Sequence, residues 1–161
     1  MEVQKKYFGD DVAKIEMYDP VKNHWVIRWD LKSQDGRVIG QEKIFMYKPS
    51  IEEIRALIFS YYNGQCDKEI LQGFTFEGKT VWLTMENQIN YKAALDLAIH
   101  TNGESLPVNF KFGTDESPEY ITFSTIEELR AFVIDMIKYI GITQAKFWQI
   151  KSNINLEEYS V

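Results

Sequence analysis

The chain has 161 residues, 45% of them hydrophobic and 26% charged, values of an ordinary globular protein that buries about 70% of its extended surface and needs no stapling. A net charge of −6 and an isoelectric point near 5.0 oppose a sequence-independent grip on phosphate backbones, so nucleic acid is not an expected partner. A single cysteine rules out an internal disulfide, and no apolar run approaches the ~18 residues of a membrane span; the expectation is a soluble chain with no membrane partner and no classical export signal.

In chain order, Val12 to Tyr18 reads as a short strand closed by Asp19-Pro20, because proline removes a backbone donor and fixes φ. His24 to Leu31 alternates Trp25, Ile27 and Trp29 against Val26, Arg28 and Asp30, the period of a strand with an aromatic face. Asp35-Gly36 suits the positive φ of a primed hairpin turn, and Arg37 to Tyr47 is the partner strand. Gly40 inside it predicts a bulge. Together these form a three-stranded antiparallel meander.

Ser50 and Glu53 have capping-box spacing before Ile51, Ile54, Leu57, Ile58, Tyr61 and Tyr62, which predicts a helix stopped by Asn63-Gly64. Phe74 to Thr84 reads as a tight hairpin turning at Gly78-Lys79. Thr84 then caps a helix with Tyr91, Ala94, Leu95 and Ala98 on one face and Lys92, Asp96 and His100 on the other. Leu106 to Phe112 and Glu119 to Phe123 form a second hairpin. Ser124-Thr125 with Glu127-Glu128 opens a last helix whose core stripe is Ile126, Leu129, Val133, Met136, Ile137 and Ile140. Gly141 ends this helix or is spanned by it, and the tail from Asn155 is expected to fray.

Chemistry-bearing residues are sparse. Cys66 reads as a small buried or half-buried thiol. His24 and His100 have no supporting motif. Asp96 and His100 share a helix face, but two ligands leave a tetrahedral metal site half built. Glu52-Glu53 and Glu127-Glu128 are candidates for acid/base work, yet first-turn capping explains both pairs. No glycine-rich phosphate loop is present, so no cofactor, no metal and no catalytic residue is assigned. Ten Phe, nine Tyr and four Trp predict a core of flat rings with a surplus left for contacts, and Trp25, Trp29, Trp82, Tyr91 and Trp148 are the candidate interaction surface. Trp25 and Trp29 can also be read as a stacking platform for a ligand or as core.

Three groups of residues carry a family resemblance: Gly73, Phe74, Phe76 and Gly78 in the hairpin; Asn87, Gln88, Asn90, Ala93 and Ala94 in the helix; and Thr125, Glu128, Leu129, Lys151 and Ile154 in the last element. Over about residues 73–154 the order resembles a domain of unknown function found at the carboxy-terminal end of bacteriophage tail and tail-fibre proteins. The resemblance implies a phage or prophage structural or tail-assembly protein, located in the bacterial host cytoplasm during assembly or in the virion. Its partners would be other virion proteins or its own copies in a homo-oligomer. The segment before Gly73 has no fibrous repeat, which implies a small free-standing part and not a whole tail fibre.

The expected fold is one α+β domain over residues 1–161: a β-meander and helix over 1–72, then hairpin, helix, hairpin and helix over 73–154, with three main helices packed on the sheet. The expected function is non-enzymatic assembly through protein–protein contacts. The alternatives are a small-ligand or carbohydrate-binding module using exposed aromatic rings and, further off, a carboxylate-based hydrolase.

Overall fold

The computed structural model describes residues 3–9 and 12–160. Strands β2 (Ile15–Asp19), β3 (His24–Gln34) and β4 (Arg37–Phe45) form the expected meander, and a strand not foreseen, β1 (Gln4–Phe8), pairs antiparallel with the free edge of β4. The sheet order is β1-β4-β3-β2. The β3–β4 hairpin turns at Asp35 and Gly36, both at positive φ (51° and 73°), as a primed turn requires. The expected bulge lies opposite Gly40 and not on it. Register shifts between Trp29 and Lys32, Asp30 takes φ 53°, and Leu31 folds so closely over Gly40 that a Cβ there would meet Leu31 Cδ2 at 2.4 Å. Glycine at 40 is therefore a space requirement of the neighbouring strand.

Helix α1 (Ile51–Gly73) starts at the expected capping box, with the Ser50 backbone N–H donating to Glu53 at 2.8 Å and the Glu53 N–H to Ser50 Oγ at 3.2 Å. It does not stop at Asn63-Gly64. Its second half is held by bonds from a later helix: Tyr139 Oη donates to Glu69 O at 2.8 Å, Lys146 to Glu69 Oε2 at 2.7 Å, and Lys151 to Asn63 Oδ1 at 2.7 Å. Tertiary contacts outweigh the local stop signal.

The β5 (Thr75–Phe76) and β6 (Lys79–Thr80) hairpin is shorter than expected and turns at Glu77-Gly78, both at positive φ. Val81 and Leu83 leave the ladder because their N–H groups go to Phe74 O and to Leu71 O of α1. Helix α2 (Met85–His100) has Thr84 as its N-cap, accepting from Asn87 N. Strands β7 (Val108–Gly113) and β8 (Pro118–Phe123) pair antiparallel. Helix α3 (Ile126–Ser152) runs straight through Gly141 for 27 residues.

The class is α+β, with antiparallel sheets and three main helices. The chain falls into two compact units, Met1–Tyr61 with Asn153–Val161, and Tyr62–Ser152, so the division lies inside α1 and not after residue 72. In the first unit Ile15, Trp25, Val26, Ile27, Trp29, Ile39, Ile54 and Ile58 are buried. The tail is not frayed: Leu156–Tyr159 form a 3-10 turn, Tyr159 is buried, and its hydroxyl donates to Arg28 O at 2.9 Å. The core of the second unit is aromatic. Phe132 of α3 lies against Phe74, Phe76, Tyr91, Phe110, Phe112 and Phe123, with ring centroids 5.0 to 6.3 Å away, so six rings from β5 and the residue before it, α2, β7 and β8 converge on one side chain.

Candidate functional site

Three of the five residues expected at an interaction surface are core. Trp25 is 9% exposed, Trp29 2% and Tyr91 4%. Period two does put Trp25, Ile27 and Trp29 on one face of β3, but that face is covered. Tyr61 of α1 meets Trp29 edge to face at 5.7 Å, and the Lys48 ammonium lies 5.0 Å from the Trp25 ring centre. Tyr91 packs edge-on against Phe110 and Phe132. The stacking platform on β3 is thereby excluded. Trp82 (36% exposed) and Trp148 (60% exposed) do reach the surface.

The residues considered for chemistry stand apart from one another. His100 Nδ1 bonds to the backbone carbonyl of Asp96 at 2.7 Å and not to its carboxylate. Burial pushes the Cys66 thiol up from its ordinary value and Asp67 adds to the shift, the opposite of an activated nucleophile. Glu128 accepts from Ser124 N and Thr125 N while Thr125 Oγ1 accepts from Glu128 N; these bonds lower its carboxyl pKa and make it a capping residue, as Glu53 is. Among the described residues no three His, Cys, Asp or Glu side chains gather as a metal site, and no helix is long and apolar enough to cross a membrane.

One charged cluster was not legible in the sequence. Glu42 (β4) is buried, ion-paired to Lys6 (β1) and bonded by Arg28 Nε (β3) at 2.9 Å, while Arg28 NH2 reaches Glu16 (β2) at 2.5 Å. One member comes from each strand in sheet order. The inner members are enclosed, since the Arg28 guanidinium also donates to Ala13 O and lies 5.2 Å from the Phe8 ring centre, while Lys6 and Glu16 at the two ends are part exposed. The network ties the four strands in register.

An exposed apolar feature lies on α3. Its inner face buries Leu129, Phe132, Val133, Met136 and Phe147. On its outer face Ile134, Ile137, Ile142 and Trp148 are all exposed, and Gly141 and Ala145 lie between them. Ile137, expected in the core stripe, is 48% exposed: at 100° per residue it lies about 40° from Val133 but about 100° from Met136 and about 140° from Phe132, at the edge of the buried stripe and not inside it. The signal in the sequence was the excess of isoleucines, more than one helix face can hold.

A second feature is an open cleft of about 330 Å³ lined by Trp82, Asn87, Lys111, Gly113, Thr114 and Asp115. The Trp82 ring is fixed by its Nε1 donating to Gly113 O at 2.8 Å, and Asn87 Nδ2 donates to Trp82 O at 2.8 Å. Lys111 and Asp115 form an ion pair at the rim, 2.5 Å long. The cleft thus offers an aromatic wall with donors and acceptors around it. Comparison of the chain with family models, curated proteins and solved structures returns no match.

Proposed function

We propose that the chain is a non-enzymatic assembly protein of the bacteriophage-tail kind, working through protein–protein contacts made by the outer face of α3. The observation that carries this reading is the exposure of Ile134, Ile137, Ile142 and Trp148 on one helix. Each of these side chains, part exposed, forgoes a fraction of the about 1.5–3 kcal/mol that full burial gives, and clustered exposure of this kind marks a contact site, with the tryptophan as its natural anchor. The phage-tail class comes from the resemblance over residues 73–154, and no residue considered for catalysis has a partner that would activate it.

The test is incorporation. Particles purified from an induced host carrying the gene should contain the chain, and Trp148→Glu, folded as judged by its circular dichroism, should be lost from them. A chain that never enters particles, or a Trp148→Glu variant that enters them as the parent does, overturns the reading. A second reading, a small polar ligand such as a sugar ring against Trp82, is favoured by the cleft alone. It requires saturable quenching of tryptophan fluorescence by a saccharide, lost in Trp82→Ala; a panel of sugars without effect removes it.

A further inference from the structure

The cleft at Trp82 is assembled from groups that hold one another in place. Trp82 follows β6, Asn87 stands in the first turn of α2, and Lys111, Gly113, Thr114 and Asp115 run from β7 into the turn of its hairpin. The Trp82 Nε1–H donates to Gly113 O at 2.8 Å and Asn87 Nδ2 donates to Trp82 O at 2.8 Å, which joins Trp82 to both neighbours. Thr114 N donates to Ser117 O at 3.3 Å and Ser117 N to Thr114 Oγ1 at 3.1 Å, closing the turn. Gly113 takes φ 77°, and a Cβ there would collide with Ser117 O, so the turn requires glycine. Wall and turn are ordered before a ligand arrives, which lowers the entropic cost of binding.

The groups left over decide the ligand. With Nδ2 committed, Asn87 has its amide oxygen to offer as an acceptor; with Oγ1 accepting from Ser117, Thr114 has its hydroxyl hydrogen to donate. Lys111 spends one ammonium hydrogen on Asp115 Oδ1 at 2.5 Å, and Asp115 keeps its second oxygen as an acceptor. Their side chains are 44% and 96% exposed, so the pair is held loosely and opens to a ligand at little cost. Donors and acceptors thus stand together beside one aromatic wall, and the lining carries no net charge. A phosphate or carboxylate brings acceptors alone and meets Asp115 and Asn87; an ammonium brings donors alone and meets Lys111. A hydroxyl is donor and acceptor at once. A flat base is gripped by stacking between two faces, whereas Trp82 is the one ring among the described residues lining this cleft.

We infer that the cleft binds an uncharged sugar ring, its C–H face on Trp82 and its hydroxyls shared among Asn87, Thr114 and the Lys111–Asp115 pair. The inference rests on the second reading above, that a small polar ligand sits against Trp82, and adds the ligand's charge and the residues that select it. The volume of about 330 Å³ is at the small end of ligand sites, and contact with one wall of an open cleft gives weak binding, with Kd on the order of 1 mM.

The experiment titrates the full chain with sugars that differ only in charge: glucose, glucuronate and glucosamine, then the galactose series, at about pH 6, where the acid and the amine are both ionised. The Trp82 indole N–H is followed by nuclear magnetic resonance and identified by its loss in Trp82→Phe. A neutral sugar should shift it saturably without shifting that of Trp148, and the charged forms should bind about three- to tenfold more weakly. Asp115→Asn, which leaves Lys111 without its counter-charge, should turn the preference to the uronate, and Lys111→Met should turn it to the amino sugar. Circular dichroism and melting of both variants confirm that they are folded. A Lys111–Asp115 pair that serves the hairpin alone would not reverse a ligand preference. A wild type that prefers a charged sugar, variants that keep the wild-type preference, or a nucleoside that binds more tightly than any sugar overturns the inference while the second reading stands. If no compound moves the Trp82 signal up to ~100 mM, that reading and the inference fall together.

Discussion

Gly141→Ala should stabilise the chain, against the usual direction of a point substitution. The glycine lies inside the 27-residue α3, outside the left-handed region, with nothing within 4 Å of the added methyl. Only the gain in helix propensity remains, about 0.5–1 kcal/mol, or about 1–4 °C in Tm for a chain of this size. Gly73→Ala is the control of opposite sign. Its Cβ would come within 2.1 Å of Tyr139 Oη, the hydroxyl that donates to Glu69 O at 2.8 Å. Tyr139 has to move, which forfeits a hydrogen bond of about 0.5–1.5 kcal/mol and adds overpacking of about 1–3 kcal/mol. After the propensity gain is subtracted, a loss of about 0.5–4 kcal/mol is expected. Urea unfolding followed by circular dichroism at low micromolar protein reads both as midpoint shifts at constant slope. A less stable Gly141→Ala, or a Gly73→Ala as stable as the parent, would refute the reasoning from open and filled space.

Glu42→Gln should cost about 2–3 kcal/mol at pH 7, because it removes the buried carboxylate that Lys6 and the largely enclosed Arg28 share and leaves Arg28 with Glu16 alone. Burial pushes the Glu42 carboxyl up, but the bonds from Lys6 and Arg28 prevail and hold it below its ordinary value of 4.5. A lowered folded value means that the contribution is full above the ordinary value and disappears as pH falls through the lowered one, so wild type and variant should converge in acid. A gap in stability that stays constant from about pH 7 to pH 3 counts against the pairing. Tyr159→Phe should cost about 1 kcal/mol for the bond to Arg28 O and Tyr159→Ala about 3 kcal/mol; if thermal melting moves for neither, the tail contributes nothing to the first unit.

Local rules made several elements legible from residues alone. Asp35-Gly36 demanded a primed turn, Thr84 and the Ser50–Glu53 and Thr125–Glu128 boxes marked three helix starts, and alternation along Leu106 to Phe112 marked a strand. Each depends on backbone groups a few residues apart, so the sequence determines it before any packing occurs. Where a long-range partner competes, local signals failed. Asn63-Gly64 reads as a stop, yet bonds from Tyr139 and Lys151 carry α1 onward; Val81 and Leu83 read as a strand, yet their N–H groups go elsewhere.

The candidate site divides along the same line. Composition foretold a surplus of apolar side chains but not where it would emerge. Trp25 and Trp29 look like an exposed pair on one strand face, and only the arrival of Tyr61 and Lys48 makes them core. Ile137 looks like core, and only the orientation of α3, set by Phe132 at the centre of its ring cluster, turns it outward with Ile134, Ile142 and Trp148. Periodicity tells which residues share a face of a helix or strand. Which face is covered depends on what packs against it from far along the chain, and that is decided by the tertiary structure alone.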